Sequence, residues 1–140
     1  MGGTGTDSIM ERTADWANSG TQSLRVSKSV ASGLPKGVRI TLPDVLVAGD
    51  VVRWSAVVRN SGSNSSARTF RPYGERSSPS YTAYVSSGDT TLNPSGSARI
   101  TGQVTITAAN NAAGETTGFG ILPVGTQYAV GENYLMDPLS

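Results

Sequence analysis

Aromatic rings and guanidinium groups are the side chains here whose types and spacing could do chemistry. Trp16, Tyr73, Tyr81, Tyr84, Tyr128 and Tyr134 each offer a flat apolar face with a polar rim, a shape that matches the axial C–H face of a pyranose. Arg59, Arg68, Arg71 and Arg76 crowd into the middle of the chain, interleaved with Phe70 and Tyr73. Guanidinium forks suit carboxylates, phosphates and polar protein surfaces. The formal net charge is only +1, which argues against nucleic acid and an anionic membrane and favours a protein neighbour for the arginines. The candidate contact residues are therefore Tyr73, Tyr81 and Tyr84 with Arg59, Arg68, Arg71 and Arg76, meeting either a partner protein or a glycan.

Catalysis has little to work with. Histidine is absent, which removes the commonest general base and every histidine-dependent triad. Cysteine is absent too, so disulfides and thiolate metal sites are excluded. Asp44, Asp50, Asp89, Glu115, Glu132 and Asp137 fall in or beside turns, where short carboxylates cap local backbone. A glycosidase needs two such groups at a fixed separation across a cleft, and spacing in the chain does not supply that. Gly118-Phe119-Gly120 lacks the further glycine and helix of a phosphate-binding loop. The expectation is a protein that is not an enzyme and has no cofactor. A structural Ca2+ held by oxygen ligands from Glu132 and Asp137 is the one metal left open, although no spaced calcium loop is present.

The elements that must carry these residues are strands. In 49–60, Val52, Trp54, Ala56 and Val58 alternate with Arg53, Ser55 and Arg59, giving one buried and one wet face, with Trp54 in the core. Ala98, Ile100, Gly102, Val104 and Ile106 alternate with Arg99, Thr101, Gln103, Thr105 and Thr107 in the same way. Shorter alternations occupy 21–27, 38–42, 67–72, 81–85 and 117–121, with a final strand pair around Gly131 in 127–135. Pro72 and Pro123 are expected to interrupt or end their strands. Ile9-Met10 starts a short N-terminal strand, Val45-Leu46-Val47 covers the core edge, and Asn93-Pro94-Ser95-Gly96 is a strong turn. About eight short strands with turns at this spacing predict an all-β fold, a two-sheet antiparallel β-sandwich. Residues 1–6, rich in Gly and Thr, read as a flexible arm, and 7–140 as a single domain. No apolar run approaches a membrane span and no basic-then-apolar leader follows Met1.

Several of these stretches resemble a known family. Ser19-Gly20-Thr21-Gln22-Ser23-Leu24-Arg25-Val26 is similar to the small-Gly-x-x-Ser-Leu-x-Val opening of jelly-roll carbohydrate-binding modules from xylanases and laminarinases. Related modules occur in bacteriophage structural proteins. Val47-Ala48-Gly49-Asp50 followed by Trp54-Ser55-Ala56-Val57-Val58-Arg59 resembles their central strand, Arg99–Ala108 resembles their r-x-s-x-t-x-T-A strand, and Tyr134–Leu139 their closing strand. The likeness runs over about residues 16–139. The family's N-terminal Asn-x-x-Phe-Glu strand and the Trp before the r-x-s strand are missing. The edge so left open is to be filled by the Asp7–Trp16 segment or by another chain.

The resemblance implies a jelly-roll-like sandwich and two alternative roles. The first expectation is a structural module on a virion surface, a phage capsid decoration or tail component. Its partners would be capsid or tail protein and further copies of itself, a trimer by analogy of fold. The alternative is a carbohydrate-binding module that attaches a particle or an enzyme to a glycan.

Overall fold

The computed structural model describes residues 8–29, 34–35, 37–42, 46–76, 82–84, 88–106, 117–125 and 128–137. Its strands, in chain order, are β1 (Ser8–Thr13), β2 (Ser23–Lys28), β3 (Val38–Leu42), β4 (Val51–Asn60), β5 (Arg68–Arg76), β6 (Thr82–Tyr84), β7 (Thr90–Leu92), β8 (Ser97–Thr105), β9 (Thr117–Val124) and β10 (Asn133–Met136). They form two antiparallel sheets. One runs β1-β2-β10-β4-β8; the other runs β3-β9-β5-β6, with β7 also pairing β5. No helix occurs among the described residues. The chain is an all-β, jelly-roll-like sandwich, as its alternating pattern predicts.

The core lies between the sheets and is built from the inward rows of both. Val26, Trp54, Ala56, Val58, Ile100, Tyr134 and Met136 come from the first sheet, and Val38, Phe70, Phe119 and Ile121 from the second. Trp54 is the joint. Its indole N–H donates to the Gly120 carbonyl of the opposite sheet at 2.9 Å, and its ring sits 4.9 Å from that of Phe119 at an interplanar angle of 46°. A buried indole needs such an acceptor, because an orphaned donor would cost more than the bond contributes. Directly across the ladder stands Gly102. A Cβ at Gly102 would come within 2.2 Å of the Trp54 ring, so only glycine lets the indole lie flat on β8.

The N-terminal edge is closed by the chain itself. β1 pairs with β2 in register from Ser8↔Lys28 to Thr13↔Ser23, so the segment expected to fill the missing edge does so. Leu46 packs against the core, whereas Val47 is exposed and Val45 lies outside the described residues. The 93–96 turn closes as expected, with the Gly96 amide donating to Asn93 O at 2.8 Å.

Three expectations give way. The strands number ten among the described residues, β7 being too short to show a period. β5 runs straight through Pro72. β7 pairs Arg68–Phe70 and β6 pairs Gly74–Arg76, so Pro72 falls between them, where one side of the strand has no partner among the described residues. β9 ends at Val124, between Pro123 and Gly125 as expected, and Pro123 falls where β3, which pairs only as far as Ile121, has already stopped. The predicted strand pair around Gly131 is instead a turn followed by β10. Gly131 takes φ 88°, its amide donates to Lys28 O at 2.9 Å, and the Glu132 amide donates to Ala129 O at 3.1 Å.

Candidate functional site

The outward face of the first sheet gathers residues that lie far apart in the chain. Because β10 is inserted between β2 and β4, one row runs across the whole sheet: Glu11, Arg25, Leu135, Arg59 and Ser97 stand in register. Trp16, just beyond β1, lies beside this row, with the Arg59 guanidinium carbon 5.9 Å from the centre of its ring. Together with Asp15, Asn133 and the Ser61-Gly62-Ser63 lip after β4, Trp16, Arg25 and Arg59 line an open cleft of about 420 Å³ floored by Leu135. Its lining joins one aromatic ring to hydroxyl, amide, carboxylate and guanidinium groups. That mixture suits a polyhydroxylated ligand, with a flat C–H face for the ring and alternating donors and acceptors for its hydroxyls.

Both lips of the cleft are tied down. Arg25 reaches Glu11 at 3.1 Å and the Thr13 hydroxyl at 3.3 Å, and it is ion-paired to Asp15, the residue before Trp16. The Ser19 amide donates to Asp137 Oδ2 at 2.8 Å, and the Asp137 amide donates to Val57 O at 2.9 Å, which fastens the loop after Trp16 to the sheet. The opposite lip hangs from two buried asparagines. Asn60 Nδ2 donates to Ser66 O and Leu92 O, while Asn64 Nδ2 donates to Asn60 Oδ1 and to Asn133 O. Glu132 completes the clamp. It accepts from the Ser65 amide at 2.8 Å, the Ser65 hydroxyl at 2.9 Å and the Ala129 amide at 2.7 Å, and it pairs with Arg68. Burial pushes the Glu132 carboxyl upward and is the largest single influence. The Ser65 and Ala129 amides, the Ser65 hydroxyl and the Arg68 charge together outweigh it and hold the group below the usual carboxylate range. Arg68 also lies over the Tyr128 ring, 4.2 Å from its centre. Burial pushes that phenol well above its ordinary value, with the Arg68 charge pulling the other way.

The structure distributes the predicted contact residues differently from their order in the chain. Arg59 lines the cleft. Arg71 lies on the second sheet and is committed to Asp89 through two bonds, 2.7 and 2.9 Å long, which hold the Asp89 carboxyl below its ordinary value. Arg68 is 3% exposed, drawn inward by Glu132 and Tyr128, so it is not a surface contact. Tyr73 is 7% exposed: β5 carries on past Pro72 and makes it a mid-strand residue rather than a loop ring. Tyr128 and Tyr134 are fully buried and take no part in any surface. Tyr81, and the side chains of Tyr84 and Arg76, lie outside the described residues. Of the six rings proposed for stacking, Trp16 is the one found lining the cleft. The sequence reading passed over Arg25, Asp15 and Asn133. Strand alternation puts Arg25 on an outward face, but which strand lies beside β2 is not written in any local pattern.

Among the described residues, Glu132 and Asp137 are engaged by separate partners rather than by one another. Both Glu132 oxygens are occupied by the amides, hydroxyl and guanidinium named above. Asp137 Oδ1 is buried without a hydrogen bond, but it is a single ligand where Ca2+ takes about six to eight. Among the described residues no three carboxylates come together. A second cavity of about 280 Å³, lined by Leu24, Val38, Ile40 and Met136 with Arg12, Gln22 and Ser23, is apolar and lies away from the charged row.

No protein-family model and no curated protein sequence matches the chain. Solved structures match it in shape. The CBM22-1 xylan-binding domain of Paenibacillus barcinonensis Xyn10C has a TM-score of 0.71 and 17% identity over 94% of this chain and 78% of its own. The C-terminal family 22 carbohydrate-binding module of Clostridium thermocellum Xyn10B gives the same TM-score of 0.71, 17% identity and the same coverage of 94% and 78%. A CBM4 structure follows with a TM-score of 0.56 and 19% identity over 84% of this chain and 81% of its own. The fold is that of the carbohydrate-binding modules the sequence resembles.

Proposed function

We propose that this chain is a carbohydrate-binding module that holds a polysaccharide in the cleft beside Trp16 and does not cleave it. The observation that carries the reading is the cleft itself: one ring beside a row of polar groups that are held in place by bonds from beneath. Support comes from the fold it shares with modules named for xylan binding, and with the CBM22-1 module of Clostridium thermocellum Xyn10B, whose CBM22-1–GH10 modules were solved together in complex with xylohexaose. The virion role expected first from the sequence has no comparable support, and the alternative stated beside it becomes the main reading. In the bound state a sugar ring lies against Trp16 while Ser61, Ser63, Asn133 and Asp15 exchange hydrogen bonds with its hydroxyls. Turnover would need a free acid and base facing each other, whereas Glu11 and Asp15 are both held by Arg25.

Isothermal titration with xylo- and other oligosaccharides tests this. Binding in the micromolar to millimolar range is expected, and Trp16→Ala should weaken it about tenfold or more, near 1.4 kcal/mol. Full affinity in Trp16→Ala, or no sugar bound from a broad panel, would remove the proposal.

A further inference from the structure

The outer face of the first sheet carries more positive charge than its own carboxylates neutralise. Arg25 is matched by Glu11 and Asp15. The other arginines of that face have neutral partners. Arg53 Nε donates to Gln103 Oε1 at 2.7 Å, Arg99 Nη1 donates to Ser55 Oγ at 2.9 Å, and Arg59 leans on the Trp16 ring. None of Arg53, Arg59 and Arg99 has an ion pair among the described residues. On the second sheet Arg68 and Arg71 each have a carboxylate.

Register makes the three a stripe. Arg59 stands opposite Ser97 and Arg99 opposite Val57, which makes the two arginines diagonal neighbours on one face, roughly 7–8 Å apart at Cα. Arg53, opposite Gln103, extends the stripe along the same β4–β8 ladder, with Ser55 and Thr101 between. The stripe therefore begins inside the cleft at Arg59 and leaves it along β4 and β8. A guanidinium fork matches a carboxylate through two parallel bonds and holds it in a fixed plane.

Resting on the reading of the cleft as a glycan site, we infer that its ligand is an acidic glycan, a polysaccharide bearing uronate carboxylates that Arg59, Arg99 and Arg53 receive while a sugar ring lies on Trp16. Between the arginines stand the Ser55 and Thr101 hydroxyls and the buried Val57, which give a sugar chain polar and apolar contacts together. Single-stranded nucleic acid would ask for successive stacking rings and a long-range positive field, whereas the cleft has one ring and the chain a net charge of +1.

The experiment compares affinities of the intact chain for xylohexaose, the same oligosaccharide carrying a glucuronosyl branch, hexagalacturonate and a short oligothymidylate. Each is measured at about 20 mM and about 500 mM salt, since the longer screening length at low salt leaves charge contacts intact. The expected result is at least one uronate ligand binding about tenfold tighter than xylohexaose at low salt, an advantage that vanishes at high salt. Arg53→Gln and Arg99→Gln should each remove about fivefold from the acidic ligand and leave xylohexaose within twofold. Arg53 and Arg99 are both exposed, and an unchanged unfolding midpoint verifies that both variants fold. Equal affinity for neutral and acidic sugars overturns this inference and leaves the binding function standing. Oligothymidylate binding as tightly as the uronate ligands overturns it in favour of unselective anion capture. Failure of every sugar removes both readings together.

Discussion

One absent carbon at position 102 governs how the two sheets meet. Alanine in a strand is ordinarily preferred to glycine by about 0.5–1 kcal/mol because it has less backbone entropy to lose. Here the steric term wins, since the added Cβ would overlap the Trp54 ring at 2.2 Å, and the indole is held by Gly120 O on the far side. Gly102→Ala should therefore destabilise the protein by about 1–3 kcal/mol, the usual range for overpacking. Urea unfolding followed by Trp54 fluorescence measures this, and a variant as stable as the parent would mean that the sheets can part at no cost. The sequence placed Trp54 and Gly102 on inward faces correctly. Their direct opposition depends on β4 and β8 pairing in one particular register.

At the scale of elements, the 61–67 loop is polar and still held, because Asn60, Asn64 and Glu132 supply the partners its backbone needs. Removing the Glu132 charge takes the neutralising carboxylate away from the buried Arg68, so Glu132→Gln should cost about 3 kcal/mol. It should also loosen the Ser61–Ser63 lip and weaken sugar binding, which guanidinium unfolding and titration measure separately. The same carboxylate sets an acid limit. Its folded pKa lies below the unfolded value of about 4.3, so its stabilisation is complete above that pH and is lost as pH falls through the folded value. The parent should consequently lose stability more steeply than Glu132→Gln on the acid side, and parallel acid profiles would assign the shift to other groups. None of this clamp could be read from the sequence, where 61–66 is a run of Ser, Asn and Gly and Glu132 one more carboxylate near a turn.

For the whole molecule, β1 closes an edge of the first sheet and also supplies Glu11 and Thr13 to Arg25 in the cleft wall. Deleting residues 1–13 should bare the β2 edge, lower the unfolding midpoint and promote association between copies, since an unpaired strand recruits another. Sedimentation at several concentrations checks this, and a stable monomer would show that the strand is dispensable. The sequence by itself determined the class of fold, the buried rows of β4 and β8 and the sidedness of Arg53, Arg59 and Arg99, because a period of two is a local property of the chain. Only the tertiary structure decided that Arg25, Leu135 and Arg59 share a row, that Arg68 and Tyr73 are inside, and that Trp16 stands at the cleft. Those facts follow from strand order and register, which are fixed by packing between distant segments and leave no mark on neighbouring residues.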